Sequence, residues 1–274
     1  MRRGRTGRWL LHGALGAGVF LTLLPLWWML VASLSPTGAL DAEPLRLVPR
    51  ALTAEHYEAL FTRLRLARAL ANSALLAGSA TVLSLLVNSM AGYAFAKLRF
   101  AGRDGLFRLL LAALVIPSQV AVLPLFLLIK QMHLVNTYGG VLVPAMASIF
   151  GIYLMRQYAL SIPDSLLDAA RVDGASELRI YLSVVLPLCR PILVTMAIFT
   201  FLGTWNDFLW PLIVLTDQDV HTLPVALANL FGEHVQDTEL VMAGSVLTVL
   251  PVVVAFLCLQ RQYLEGLTLG GVKG

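Results

Sequence analysis

Charge is scarce in this 274-residue chain, at 13% of residues, against roughly a quarter in a soluble domain. That scarcity excludes a water-soluble globule, whose surface needs far more ionic groups. Cysteine is nearly absent: Cys189 and Cys258 are the two present. Neither a disulfide framework nor a cysteine-based metal site can be assembled from them, and both read as small buried apolar residues. His12, His56, His133, His221 and His234 are scattered with no paired-ligand spacing, and no nucleophile stands in a recognisable pattern with a base. No metal site and no catalytic residue is therefore expected. A phosphate-binding loop is missing too. Gly266 to Lys273 offers glycines and a lysine, but such a loop requires Gly, four residues, then Gly-Lys-Ser/Thr between a strand and a helix.

Apolar residues fill the space that charge leaves, at 58% of the chain. They gather in runs near Leu10 to Leu34, Ala69 to Ala96, Leu109 to Ile129, Tyr138 to Leu154, Pro191 to Leu215 and Val241 to Leu259, each close to the ~20 residues that cross a hydrocarbon core. An all-α integral membrane protein with six transmembrane helices follows, because helices satisfy their own backbone groups in lipid. The opening MRRGRTGRW has the basic character of a secretory signal head. The apolar run behind it, at about 25 residues, exceeds a signal core, so an uncleaved first span is expected. Lys and Arg favour cytoplasmic loops. Here they cluster as Arg2, Arg3, Arg5 and Arg8, as Lys97, Arg99, Arg103 and Arg108, and as Arg156, Arg171, Arg179 and Arg190. The last external loop instead carries Asp217, Asp219, Glu233, Asp237 and Glu239. Both termini are expected in the cytoplasm, with the protein a multi-pass resident of the cell (inner) membrane. The net charge of +4 is then a product of topology, and no nucleic-acid partner is implied.

On this reading residues 1–68 hold a cytoplasmic tail, the first span and an external loop containing Pro36, Pro44 and Pro49. Residues 69–260 form a five-span unit, and 261–274 a cytoplasmic tail. Pro25, Pro117, Pro124, Pro144 and Pro251 interrupt the runs, as kinks around a path or as ordinary packing irregularities. Ala91-Gly92-Tyr93-Ala94 with Ala96, and Ala77, Gly78 and Ala80, offer small faces for close helix packing. Asn72, Asn88 and Gln119 read first as interhelical hydrogen-bond partners.

One polar segment, Ser161 to Pro187, separates the fourth and fifth runs. Ser161 is a candidate helix cap, Pro163 suits a first turn, and Asp164 and Asp168 favour the positive helix end. Leu166, Leu167 and Ala170 share a face by spacing, and Gly174 can take the left-handed conformation that ends a helix. Leu178, Tyr181, Leu182 and Val185 form a second amphipathic stretch, closed by Pro187. The order Asp168-Ala169-Ala170, Asp173-Gly174, Val184, Leu186-Pro187 resembles the cytoplasmic "EAA" loop of binding-protein-dependent ABC importer permeases. Asp168 stands where that family usually has Glu, and Val184 where it has Ile. The resemblance implies a type I ABC importer permease fold with this segment as the coupling-helix loop. Its face of Leu166, Leu167 and Ala170 would dock in a groove of a separate ATP-binding subunit, and Asp168, Ala169, Asp173, Gly174, Leu186 and Pro187 complete the loop.

Ala91 to Phe100, Ile116-Pro117-Ser118-Gln119, Asn136-Thr137-Tyr138 and Phe201 to Pro211 are similar to segments of carbohydrate-importer permeases of the maltose-transporter G type. The likeness covers nearly the whole chain, including the ending Gly266 to Gly274. It implies import of a sugar, oligosaccharide, polyol or glycerol phosphate by alternating access. It also implies as partners a second homologous permease, two ATP-binding subunits, an extracytoplasmic solute-binding protein and the lipid bilayer. No cofactor is expected on this chain, with ATP and Mg2+ used by the partner subunits. Trp205, Asn206, Asp207 and Trp210 are candidates for the substrate path, because aromatic faces stack on sugar rings and amide or carboxylate groups bond hydroxyls. Helix capping by Asp207 and interface anchoring by the tryptophans are the plainer roles. An ion-coupled secondary carrier is the alternative, although such carriers commonly bury several titratable groups and Asp207 is the one good candidate here.

Overall fold

The computed structural model describes residues 3–45, 47–62, 66–233 and 237–271, and every regular element among them is helical. The chain divides into two compact units, Met1–Ala67 with Ala226–Pro251, and Arg68–Val225 with Val252–Gly274. In the first unit, α1 (Arg3–Ser33) contains an apolar stretch, Leu11–Ser33, long enough to cross a bilayer. The indole N–H groups of Trp27 and Trp28 donate to the carbonyls of Leu47 and Pro44, at 2.9 and 3.0 Å. They fasten the proline-rich segment onto the end of α1, a position where amphipathic rings are favoured. Two short helices follow, α2 (Ala39–Ala42) and α3 (Glu55–Thr62). Buried His56 donates a ring N–H to the Ser35 carbonyl, and buried Glu239 accepts the Leu40 amide, each at 2.9 Å. The loop's polar groups are thereby satisfied inside the unit.

The second unit begins with α4 (Leu66–Lys97), a 32-residue helix free of proline. α5 (Arg103–Ala113) and α6 (Val122–Gln131) follow, joined by a 3-10 turn at Ser118–Ala121. The two arms bend by 97°, so the straight third span expected from Leu109 to Ile129 is broken. Pro117 is the cause: it has no amide to donate and drives Ile116 out of helical geometry. α7 (Tyr138–Ala145) and α8 (Ile149–Leu160) are capped by Thr137 and Ser148, whose side chains accept the amides of Gly140 and Gly151. Together they make a 23-residue apolar segment. Next come α9 (Asp164–Val172), α10 (Glu177–Ile180), a π-helical segment Tyr181–Val185, and α11 (Leu186–Leu188). The chain then turns by 80° into α12 (Arg190–Trp205). The fifth run, expected to continue to Leu215, stops at Trp205 and resumes as α13 (Leu209–Val214). The chain ends with α14 (Leu223–Glu233) and α15 (Thr238–Gly271); α15 opens on an apolar stretch, Thr238–Val254. Among the described residues three apolar helical segments and two bent pairs are long enough to cross a membrane, five candidate spans where six were expected, and Thr238–Val254 is a shorter apolar helix.

Inside the second unit Gly92, Ala77 and Ala80 pack closely as expected, whereas a Cβ at Gly78 would meet nothing within 4 Å. A Cβ at Gly92 would lie 2.6 Å from two side-chain atoms of Met155, so glycine alone permits α4 and α8 to approach this closely. Asn88 accepts the Ser148 amide at 2.9 Å and donates to Ser84 Oγ at 2.6 Å. Asn72 donates to the carbonyls of Asp219 and His221 and accepts from Tyr138 Oη at 2.7 Å. Asn136 Oδ1 accepts the amides of Thr216 and Asp217. Residues 136 to 138 are thus a lock, a helix cap and a partner for Asn72. Gln119 differs from expectation: it stands exposed at the Pro117 bend and accepts from neighbouring Ser118.

Candidate functional site

The hairpin at 161–187 starts two residues later than its sequence suggests. Ser161 Oγ donates back to the Tyr158 carbonyl at 2.7 Å and closes α8. Pro163, with φ −60°, takes the N-cap position of α9, and Asp164 is the first helical residue. α9 ends in a Schellman motif: the Gly174 amide donates to the Arg171 carbonyl and the Ala175 amide to the Ala170 carbonyl, each at 3.0 Å. Gly174 has φ +82°, a conformation that glycine adopts without Cβ strain. Ser176 then caps α10 by accepting the Arg179 amide.

The structure splits the leucines of the expected docking face. Leu167, placed with Leu166 on the outer surface by spacing, is 1% exposed. It packs inward with Tyr93, Met155, Ile162, Ile180, Tyr181 and Val185, and Ala170 lines the same cluster. Adjacent helical residues point about 100° apart, so burying Leu167 turns Leu166 outward. The outward apolar surface consists of Leu166, Val172, Leu178 and Leu182, with Val172 87% exposed. Asp168, Ala169, Asp173, Gly174 and Pro187 are exposed beside it, and Leu186 is half-buried.

A charged network sits on the same hairpin. Arg171 donates to Glu177 Oε1 and to Asp168 Oδ1, each at 2.7 Å, and Tyr93 Oη donates to Glu177 Oε2 at 2.8 Å. Arg171 and then Tyr93 hold the Glu177 carboxyl below the usual carboxylate range, while Glu177 and Asp168 hold the Arg171 guanidinium above its own. Asp168 therefore uses its carboxylate within the loop, bracing the α9 end. None of this network except Asp168 was singled out from sequence. The signal available was the four-residue spacing of Ser89, Tyr93 and Lys97, which puts all three on one face of α4.

The four path candidates do not converge on one cavity. Trp205 is buried and stacks on Phe201, with ring centroids 5.7 Å apart. Asn206 donates to the Leu202 carbonyl, Trp210 donates its indole N–H to the Gly140 carbonyl at 3.1 Å, and Asp207 accepts the Trp210 amide at 3.4 Å. Asp207 lies one residue before Phe208, the N-cap of α13, so its bond to the Trp210 amide is local to the helix start. A cleft of about 310 Å³ opens next door, lined by Ser84, Ser148, Phe150, Phe199, Thr200, Gly203 and Thr204 among others. Its walls pair hydroxyls with aromatic rings and carry no ionisable side chain.

The sequence profile described as binding-protein-dependent transport system inner membrane component matches residues 71–264. The chain is 41% identical over 269 residues to the arabinooligosaccharides transport system permease protein AraQ of Halalkalibacterium halodurans, covering 97% of this chain and 96% of that one. It is 31% identical to the lactose transport system permease protein LacG of Rhizobium radiobacter, covering 96% and 95%. In fold it is similar to a chain in the crystal structure of a bacterial ABC transporter involved in the import of the acidic polysaccharide alginate. That likeness has a TM-score of 0.83 and 24% identity over 95% of this chain and 98% of that one.

Proposed function

The chain belongs to the family of binding-protein-dependent transport system inner membrane components, and on that premise we propose that it imports a neutral oligosaccharide, driven through the hairpin at 161–187. It is a permease subunit of a carbohydrate importer of the ATP-binding-cassette class, with the type I permease fold, and it is not an enzyme. ATP is hydrolysed on separate subunits. The partners are a second permease, two ATP-binding subunits and an extracytoplasmic solute-binding protein. No cofactor is assigned to this chain, and ATP and Mg2+ are bound by the ATPase pair. The amino and carboxyl termini lie on the cytoplasmic side with the hairpin, in keeping with the Lys and Arg distribution.

The observation that carries the substrate reading is the lining of the cleft. Ser84, Ser148, Thr200 and Thr204 supply hydroxyl partners, Phe150 and Phe199 supply ring faces, and no lining residue supplies a cation. Such walls suit a sugar, which stacks by its apolar face and bonds by its rim. A phosphate ester would be desolvated there without a counter-charge, at a steep cost.

Alternating access follows from mechanical linkage. Closure of an ATPase dimer pushes the surface of Leu166, Val172, Leu178 and Leu182, and the helices joined to that surface tilt. The test is uptake into proteoliposomes holding the complete complex, with labelled arabinotriose and labelled sn-glycerol 3-phosphate as probes. Saturable, ATP-dependent uptake of arabinotriose is expected. Uptake that runs on an ion gradient without ATP would refute the coupling, and preference for the phosphate ester would refute the neutral substrate.

A further inference from the structure

Three residues of α4, spaced four apart on one face, each bond to the hairpin. Ser89 Oγ lies 2.6 Å from Tyr181 Oη, Tyr93 Oη donates to Glu177 Oε2, and Lys97 Nζ donates to the Ile162 carbonyl and to Asp164, each at 2.6 Å. The Tyr93 and Tyr181 rings meet with centroids 5.6 Å apart. Glu177 is the centre of the arrangement: one oxygen receives α4 through Tyr93, the other receives α9 through Arg171, and the residue itself opens α10. A single carboxylate therefore ties three helices together.

We propose that Tyr93 and Glu177 are positioning residues that make the hairpin and α4 one rigid body, so that a push on α9 is delivered directly to a membrane-spanning helix. This rests on reading the hairpin as the ATPase-coupling surface. A push on α9 has two routes out. One runs along the chain through α10 and the π-helical segment Tyr181–Val185 into α12. π-helical turns are unusual in α-helices and recur at functional sites, and the 80° bend into α12 lies just beyond this one. The other route crosses Glu177 to Tyr93 and enters α4 about one turn from its end at Lys97. With the carboxylate in place the hairpin cannot pivot about the π-helical segment without breaking bonds to α4. Without it, α9 and α10 remain tied to α4 only at Lys97 and Ser89, the joint between them loosens, and part of the stroke is lost.

The test uses the complete complex reconstituted in proteoliposomes, with Tyr93→Phe, Glu177→Ala, Glu177→Gln and the Tyr93→Phe/Glu177→Ala double variant. Spin labels at Ser165 on α9 and Leu75 on α4 report the distance between hairpin and helix with and without ATP and vanadate. Labelled arabinotriose reports uptake per ATP hydrolysed. In the parent complex the label distance is expected to stay narrow and unchanged across nucleotide states. In Tyr93→Phe and Glu177→Ala it broadens, and uptake per ATP falls by about two- to thirty-fold. Glu177→Gln, whose amide oxygen still accepts from Tyr93, recovers part of the loss, and the double variant is no worse than Glu177→Ala. A parent-like distance distribution in both single variants, or losses that add in the double, overturns the proposal. If Glu177→Ala does not assemble, Tyr93→Phe decides, since it removes a single oxygen atom. A parent complex with no ATP-driven uptake instead refutes the coupling reading on which the strut depends.

Discussion

Lys97 Nζ, on a side chain only 6% exposed, donates to Asp164 Oδ1 at 2.6 Å and to the Ile162 carbonyl at the same distance. The last residue of a long apolar helix thus anchors the first turn of the hairpin. Lys97 holds the Asp164 carboxyl below its ordinary value of 3.8, chiefly through that hydrogen bond. A carboxyl whose folded pKa is depressed stabilises the fold above its unfolded value, and the contribution disappears as pH falls through the folded value. The thermal-stability difference between the parent protein and Asp164→Asn should therefore be constant from pH 5 to 8 and shrink only below about 3.8. A difference that fades near neutrality would show that Lys97 and Asp164 are not so coupled.

Gly174 turns the hairpin at φ +82°, and a Cβ there would meet no atom within 4 Å. Within this chain, the effect of substitution is therefore backbone strain. Gly174→Val should cost about 1–3 kcal/mol of local stability and shift the α10 cap, lowering uptake per ATP while leaving the membrane helices folded. Gly174→Asn, which tolerates the left-handed region better, should fall between. Calorimetry of the purified chain and coupled uptake together check the pair.

Much of this was legible in residue order. The apolar runs marked the membrane segments, of which, among the described residues, five rather than six are long enough to cross a bilayer, and the Asp168 to Pro187 pattern marked a hairpin and its turn at Gly174. Bends were harder to read. Pro117 breaks a run and Pro25 does not, because outcome depends on what neighbouring residues can do for the freed carbonyls. Helical spacing also set Leu166 and Leu167 together, although the 100° between them makes one a core residue and the other a surface one. The link of Tyr93 to Glu177 and Arg171 escaped notice because Glu177 and Tyr93 lie 84 positions apart, and only the fold unites them.

Leu167 and Val172 should separate folding from docking. Leu167 is surrounded by the cluster of Met155, Ile180 and Val185, so Leu167→Ala should cost about 2–5 kcal/mol and lower the melting temperature of the permease by itself. Val172 is exposed, so Val172→Asp should leave that temperature unchanged and weaken retention of the ATPase subunits in detergent. The reverse pattern would move the docking face elsewhere on the hairpin.

Asp207 and Thr200 give opposite expectations for the sugar path. Asp207 accepts the Trp210 amide at the start of α13, a role that asparagine fills equally well. Asp207→Asn should therefore transport normally, whereas Asp207→Ala should lose about 1 kcal/mol of stability without a change in apparent affinity. Thr200 faces the cleft, its hydroxyl 3.4 Å from Ser84 Oγ. Thr200→Val keeps the shape and removes the hydroxyl. A lost hydrogen bond of about 0.5–1.5 kcal/mol raises the apparent KM for arabinotriose by roughly two- to tenfold, with stability little altered. Kinetics of uptake for both variants would decide between the neighbouring sites. A normal KM in Thr200→Val with a raised one in Asp207→Asn would return the path to the Trp205 to Trp210 segment.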